Sequence, residues 1–155
     1  MNVVIHTSPD FVKRIGGLLD VNKFIKTGAF DALSQMTERI HEKGEAADGS
    51  GIGTYTNNYL KLRQKKPYNR TEDSKIIVSL TRRLENDWGV IETDKGNWAI
   101  AFLNRQKGTK TDITSGEKMQ YVEESSGKTI AALSKAETEQ LVKTILKGID
   151  ESLSQ

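Results

Sequence analysis

Between positions 44 and 70 the chain concentrates residue types that can grip a phosphate, a metal or a partner surface. Gly44, Gly49, Gly51 and Gly53 fall within ten residues, and Lys61, Arg63, Lys65, Lys66 and Arg70 fall within another ten, interleaved with Tyr59 and Tyr68. A phosphate loop needs G-x-x-x-x-G-K-[ST] after a strand, so that backbone amides and the lysine share the anion. Gly44 and Gly49 have the glycine spacing, but Ser50 stands where the lysine belongs, and the preceding pattern is helical. Gly49, Gly51 and Gly53 read G-x-G-x-G, with no strand before them and no acidic residue placed to read a ribose. A calcium loop begun at Asp48 has Ser50 at its third position, yet Ile52 brings no oxygen to the fifth and Tyr59 replaces the glutamate of the twelfth. No cofactor and no metal are expected here.

Catalysis finds little support elsewhere. His6 and His41 are far apart in sequence, and His41, near a helix C-terminus, reads as a dipole contact or a solvated ring. There is no G-x-S-x-G elbow and no H-E-x-x-H pair. Glu123-Glu124 and Glu137 with Glu139 look like solvated helix faces rather than an acid–base pair. The chain therefore reads as a non-enzyme. What remains is the basic segment, whose cations suit phosphate and whose tyrosines suit base stacking. Glycines ahead of it let a segment leave its domain and lie over a neighbour. Partner contact is the favoured reading, and a small nucleic-acid-binding module is the alternative.

The elements that must position this segment fit one domain over residues 1–155, of the α+β class. An apolar share of 35% with 28% charged residues implies a modest core carrying large polar loops. With no cysteine, disulfides and thiolate sites are excluded, and a net charge of +2 does not by itself imply nucleic-acid binding. No apolar run approaches the roughly 20 residues of a membrane span, and no secretion signal is expected at the N-terminus.

Val3, Val4 and Ile5 suit a short strand before Pro9 and Gly16-Gly17. From Asp20, the residues Val21, Ile25, Ala29, Ala32, Leu33, Met36 and Ile40 make one helical stripe, closed by Gly44 as a C-terminal cap. Gly28 costs about 1 kcal/mol relative to alanine, so the firm helix is expected from there onward. Residues 44–73 read as an extended glycine-rich, basic arm. Residues 75–80 read as a strand, and residues 81–88 as a helical turn with Thr81 as its cap. Residues around Trp88 and Trp98 form a hairpin about Asp94-Lys95-Gly96-Asn97, its second strand alternating Trp98, Ile100 and Phe102 with Ala99, Ala101 and Leu103. A polar loop follows over 104–112, then a short helix over 115–124 and an edge strand over 129–133. Ser134 and Glu137 make a capping box for a C-terminal helix over 134–153, striped by Leu141, Val142, Ile145, Leu146, Ile149 and Leu153. The expected architecture is a small antiparallel sheet packed on a central and a C-terminal helix, with a long extended arm.

The stretch from Arg39 to Leu103 resembles the tail-completion, or virion-morphogenesis, proteins of tailed bacteriophages, especially versions from phages of Bacteroidetes and crAss-like phages. The likeness lies in a helix ending in glycine, then D-G-x-x-x-G-x-Y (Asp48, Gly49, Gly53, Tyr55) and Y-x-x-x-R-x-x-K (Tyr59, Arg63, Lys66). "VSLTRRLENDWGV" and "WAIAFLN" continue it. Members of that family usually have glycine after the Leu-Thr, where this chain has Arg82. The resemblance implies a structural virion protein of the neck, assembled in the host cytoplasm as a homo-oligomeric ring, a hexamer or dodecamer, at the portal–tail junction. Its implied partners are portal, tail-tube or collar proteins, with DNA passing through the channel and no membrane. In that setting Gly49, Gly53, Tyr55, Tyr59, Arg63, Lys65, Lys66 and Tyr68 are the residues expected to reach a neighbouring subunit or partner.

Overall fold

The computed structural model describes residues 3–5, 21–70, 74–79, 81–93, 96–103 and 113–154. The expectations for His6, for the remainder of the first twenty positions, for Asp94-Lys95 and for the loop over 104–112 concern residues outside these. The fold is α+β, a small antiparallel sheet on a central and a C-terminal helix. Its elements are β1 (Val3–Ile5), α1 (Val21–Glu38) running into a π-helical turn (Arg39–Lys43), α2 (Asn57–Gln64), a 3-10 turn (Glu85–Asp87), β2 (Trp88–Glu92), β3 (Trp98–Phe102), α3 (Ser115–Ser126) and α4 (Lys135–Leu153).

The hairpin forms as its pattern predicts. Trp88 pairs with Phe102, Val90 with Ile100 and Glu92 with Trp98, while β1 adds antiparallel on the other edge to give the order β1-β3-β2. Gly96 takes the positive φ that the turn requires. As the central strand, β3 is buried along its whole length, including Ala99 and Ala101 on the face with small side chains. Trp98 sits against Val21, Ile25 and Ala29 of α1, and Ile100, Phe102 and Trp88 share a larger cluster with Ala32, Met36 and Ile40.

Helices α1 and α4 pack antiparallel. Gly28 faces Leu141 and Ile145, Asp31 meets Thr144, and Arg39 meets Glu137. Contrary to expectation, α1 starts at Val21 and Gly28 does not delay it. A Cβ at Gly28 would lie 2.7 Å from Leu141 Cδ1, so the missing side chain lets the two helices approach, and packing offsets the propensity cost. Gly44 caps the π turn at φ 66°, and a Cβ there would collide with the Ile76 carbonyl oxygen.

Three further expectations are corrected. Among the described residues of 75–80 only Lys75 pairs, in a single bridge with Thr54, and no strand forms. Over 129–133 no edge strand forms either. In the 81–88 region the helical turn shrinks to Glu85–Asp87, and Thr81 does not cap it, because Arg82 turns left-handed at φ 58°. The reason for the two missing strands is the same. Their backbone groups are taken by side chains: Tyr55 hydroxyl donates to Ile77 O, His41 Nδ1 to Val78 O (2.8 Å) and Arg63 to Ser79 O (2.6 Å). In the second segment Arg39 donates to Ile130 O and Ala132 O, and Glu123 Oε1 accepts from Ile130 N (2.6 Å) and Ala131 N (2.9 Å). Backbone groups satisfied this way have no need of a ladder.

Arg39 is the busiest of these fasteners. Its Nε is 2.7 Å from Glu137 Oε1, and its other nitrogens donate to Glu45 O, Ile130 O and Ala132 O. Glu137 is also the capping-box residue of α4, accepting from Ser134 N at 2.6 Å. Among the described residues no helix is long and apolar enough to cross a membrane. Replacing Glu137→Gln strands a buried guanidinium, and urea denaturation should show a loss of about 3–5 kcal/mol. A loss below 1 kcal/mol would show that Arg39 is held without it.

Candidate functional site

The segment expected to leave the domain is folded onto it. Beyond Gly44, Ala46 and Ile52 are both inside the main core. The intervening turn is closed by Asp48, whose carboxylate accepts from Ser50 Oγ (2.6 Å) and Ser50 N (2.9 Å). Those two bonds hold its pKa below the usual carboxylate range. Lys128 reaches the same turn, donating to Ser50 Oγ and Gly51 O, and Ala47 N donates to Thr129 O. Gly49 and Gly53 both take positive φ, 81° and 149°, which is the geometry the turn needs.

Helix α2 occupies the middle of what reads as an extended arm. Thr56 caps it, its hydroxyl oxygen accepting from Tyr59 N. One helical turn separates Tyr59 from Arg63, so the ring and guanidinium share a face. Tyr55 precedes the cap, and its ring centroid lies 5.2 Å from that of Tyr59. The Arg63 guanidinium stands 4.3 Å from the Tyr55 ring and 5.8 Å from the Tyr59 ring. Arg63 is only 1% exposed, and it donates to Ser79 O, where Arg70 also donates, while Arg70 Nη2 is 2.7 Å from Ser79 Oγ.

Of the eight residues nominated from the sequence, Tyr55, Tyr59 and Arg63 thus come together, with Arg63 buried, Tyr55 half-buried and Tyr59 still exposed. The expectation that Arg63 meets another molecule is corrected for its guanidinium, because a buried arginine that binds Ser79 O has no free reach. Gly49 and Gly53 belong to the turn beside Lys128. Tyr68 is half-buried, while Lys65 and Lys66 lie on the surface like Gly49 and Gly53, joined there by Lys61 and by Leu62, which is 48% exposed.

His41 does lie in the last helical turn before the Gly44 cap, but the solvated reading is corrected: it is 4% exposed, and its Nδ1–H donates to Val78 O. Nε2 is buried and lacks a hydrogen-bond partner among the described residues. Burial lowers its pKa, against the opposing pull of the Glu85 charge and the Val78 carbonyl.

A cleft of about 460 Å³ opens beside the tyrosine–arginine cluster, between α2, residues 76–84 and the inner face of α3. Ile76, Val78, Leu84 and Val122 line it, with Arg83 and Lys118 toward its edges. Its described lining contains hydroxyls and cations but no carboxylate or imidazole, so it has no group suited to take a proton at neutral pH. Groups of three or more metal-ligating side chains are absent among the described residues.

Comparison with family models, with curated proteins and with solved structures gives no match.

The cleft was not legible in the sequence. Ser115, Lys118, Val122 and Ser125 share one face of α3 at helical spacing, but nothing in that spacing tells what the face looks onto. Arg39 was missed as well, although a lone arginine before an apolar-to-glycine junction carries no signal until its acceptors are folded around it.

Two expected outcomes follow from this geometry. Arg63→Ala should cost about 2–3 kcal/mol in chemical denaturation, since it removes a buried charged donor from Ser79, whereas Lys65→Ala and Lys66→Ala should each stay within about 0.5 kcal/mol. For His41 the folded pKa lies below the unfolded one, so the folded state favours the neutral ring. Stability should therefore fall as pH drops below about 6.5, by at most about 1.4 kcal/mol per pH unit, until the folded pKa is reached. Comparing thermal melts of wild type and His41→Gln across pH 7 to 5 isolates that slope; identical slopes would remove His41 as its source.

Proposed function

We propose that this chain is a non-enzymatic structural protein of a tailed-phage virion, a ring subunit at the portal–tail junction that completes the tail or joins it to the head. The observation that carries this reading is Arg82. Phage neck sequences that this chain resembles usually have glycine at that place, and here the backbone is left-handed, at φ 58°, as glycine would permit. A substituted residue that keeps the glycine conformation is what a shared backbone predicts. Most of the other motif residues support it by having a defined task. Asp48, Gly49 and Gly53 build the turn, Tyr55 and Arg63 bond to Ile77 O and Ser79 O, and Tyr59 packs against both.

The role of the 44–66 segment in this reading differs from a free arm. Its inner face fastens the subunit, and its outer face, with Lys61, Leu62, Lys65 and Lys66, is what a portal, tail-tube or collar protein would meet. Exposed lysines also favour a second reading, a nucleic-acid-binding module, although Tyr55 and Tyr59 are already engaged with Arg63.

Labelling the protein in purified particles tests the leading reading. Label should appear at the neck, and loss of the gene should yield filled heads lacking tails; label absent from particles would refute it. DNA affinity at low salt that falls steeply with added salt, with a slope reduced by Lys65→Gln and Lys66→Gln, would instead favour the second reading.

A further inference from the structure

Two separate surfaces of this chain are complementary to one another. One is the cleft, whose floor is Ile76, Val78, Leu84 and Val122 and whose walls are the helices α2 and α3. Its cationic edge, Arg83 and Lys118, makes no ion pair among the described residues. The other surface is the outer face of α4. There Val142, Leu146 and Leu153 are 49%, 52% and 62% exposed, while Leu141 and Ile149 of the same helix are buried. Glu139, Asp150 and Glu151 flank this row, with Lys143 and Lys147 between them, and Lys147 is 3.6 Å from Glu151.

An amphipathic helix seated in an apolar groove is a recurring mode of recognition, read as apolar anchors one turn apart. Val142 and Leu146 have that spacing, and Leu153 extends the row by two further turns. The acidic end, Asp150 and Glu151, matches the cationic edge of the cleft. We propose that α4 of one copy docks its outer row into the cleft of a second copy, with its carboxylates toward Arg83 and Lys118. The two surfaces do not overlap, so each copy can give its helix to one neighbour and its cleft to another. Such a head-to-tail contact is heterologous and either closes into a ring or propagates. It deepens the ring reading and rests on that reading only for closure.

The chain has no cysteine, which makes site-directed cross-linking clean. Leu146→Cys and Ser125→Cys, both at exposed positions, are prepared as separate full-length proteins and mixed under mild oxidation at the highest soluble concentration. A 125–146 disulfide dimer is expected in the mixture and not in either protein alone. Adding Arg83→Glu and Lys118→Glu to the Ser125→Cys protein should abolish that dimer. Adding Asp150→Lys and Glu151→Lys to the Leu146→Cys protein should then restore it. Cross-linking between 146 and 146 only, no 125–146 species, or indifference to the charge exchanges would overturn the proposal. Because the isolated chain reports the contact and labelled particles report the role, either can fail without the other.

Discussion

The fold depends on a guanidinium taken out of water and fully used. Arg39 leaves the end of the central helix and meets a carboxylate from α4 and three backbone carbonyls from two loops. Burying such a charge is costly, and only a matched counter-charge with further hydrogen bonds offsets the desolvation. Here those partners come from three places in the sequence: the glycine-rich turn, residues 130–132 and the capping residue of α4. None of these is regular enough to hold its place alone. The planar fork of an arginine, with donors at fixed angles, sets their positions together.

Arg63 repeats the device on the other side of the core. It is even less accessible, it stacks against two tyrosines, and it holds Ser79 O. Between them the two arginines explain how a chain with only 35% apolar residues keeps long stretches without helix or strand close to its core. The backbone carbonyls of 77–79 and backbone groups of 130–132 are held by side chains rather than by neighbouring strands, so those stretches can follow the surface of the helices instead of a sheet. Ile52 and Ala46 then reach the core from a turn that composition alone would place in solvent.

This inward use of the conspicuous residues changes where an outside partner would be met. The glycine, tyrosine and arginine positions serve the subunit, and the surfaces left open include the lysines on and just after α2, the cleft beside α3 and the apolar row on α4. Within the ring reading, the contact to a neighbour therefore belongs to helices and a groove held rigid by the arginine clasps, not to a flexible strap. Rigid surfaces lose little entropy on association, which suits a subunit that must close a ring of defined size.

From the sequence alone came the features that depend on near neighbours along the chain. Stripes at three- and four-residue steps marked α1 and α4, Ser134 with Glu137 marked a helix start, and alternation about Gly96 marked the hairpin, because each is set by local geometry. Short apolar runs such as 75–80 and 129–133 have strand composition too, and there the reading failed. Whether such a run pairs with a strand is decided by what competes for its backbone groups, and the competitors Arg39, His41, Tyr55, Arg63 and Glu123 lie up to 93 residues away along the chain. Only the tertiary structure decided that the glycine-rich segment fastens rather than reaches, since burying a charge is a property of the assembled surroundings and not of the residue that carries it.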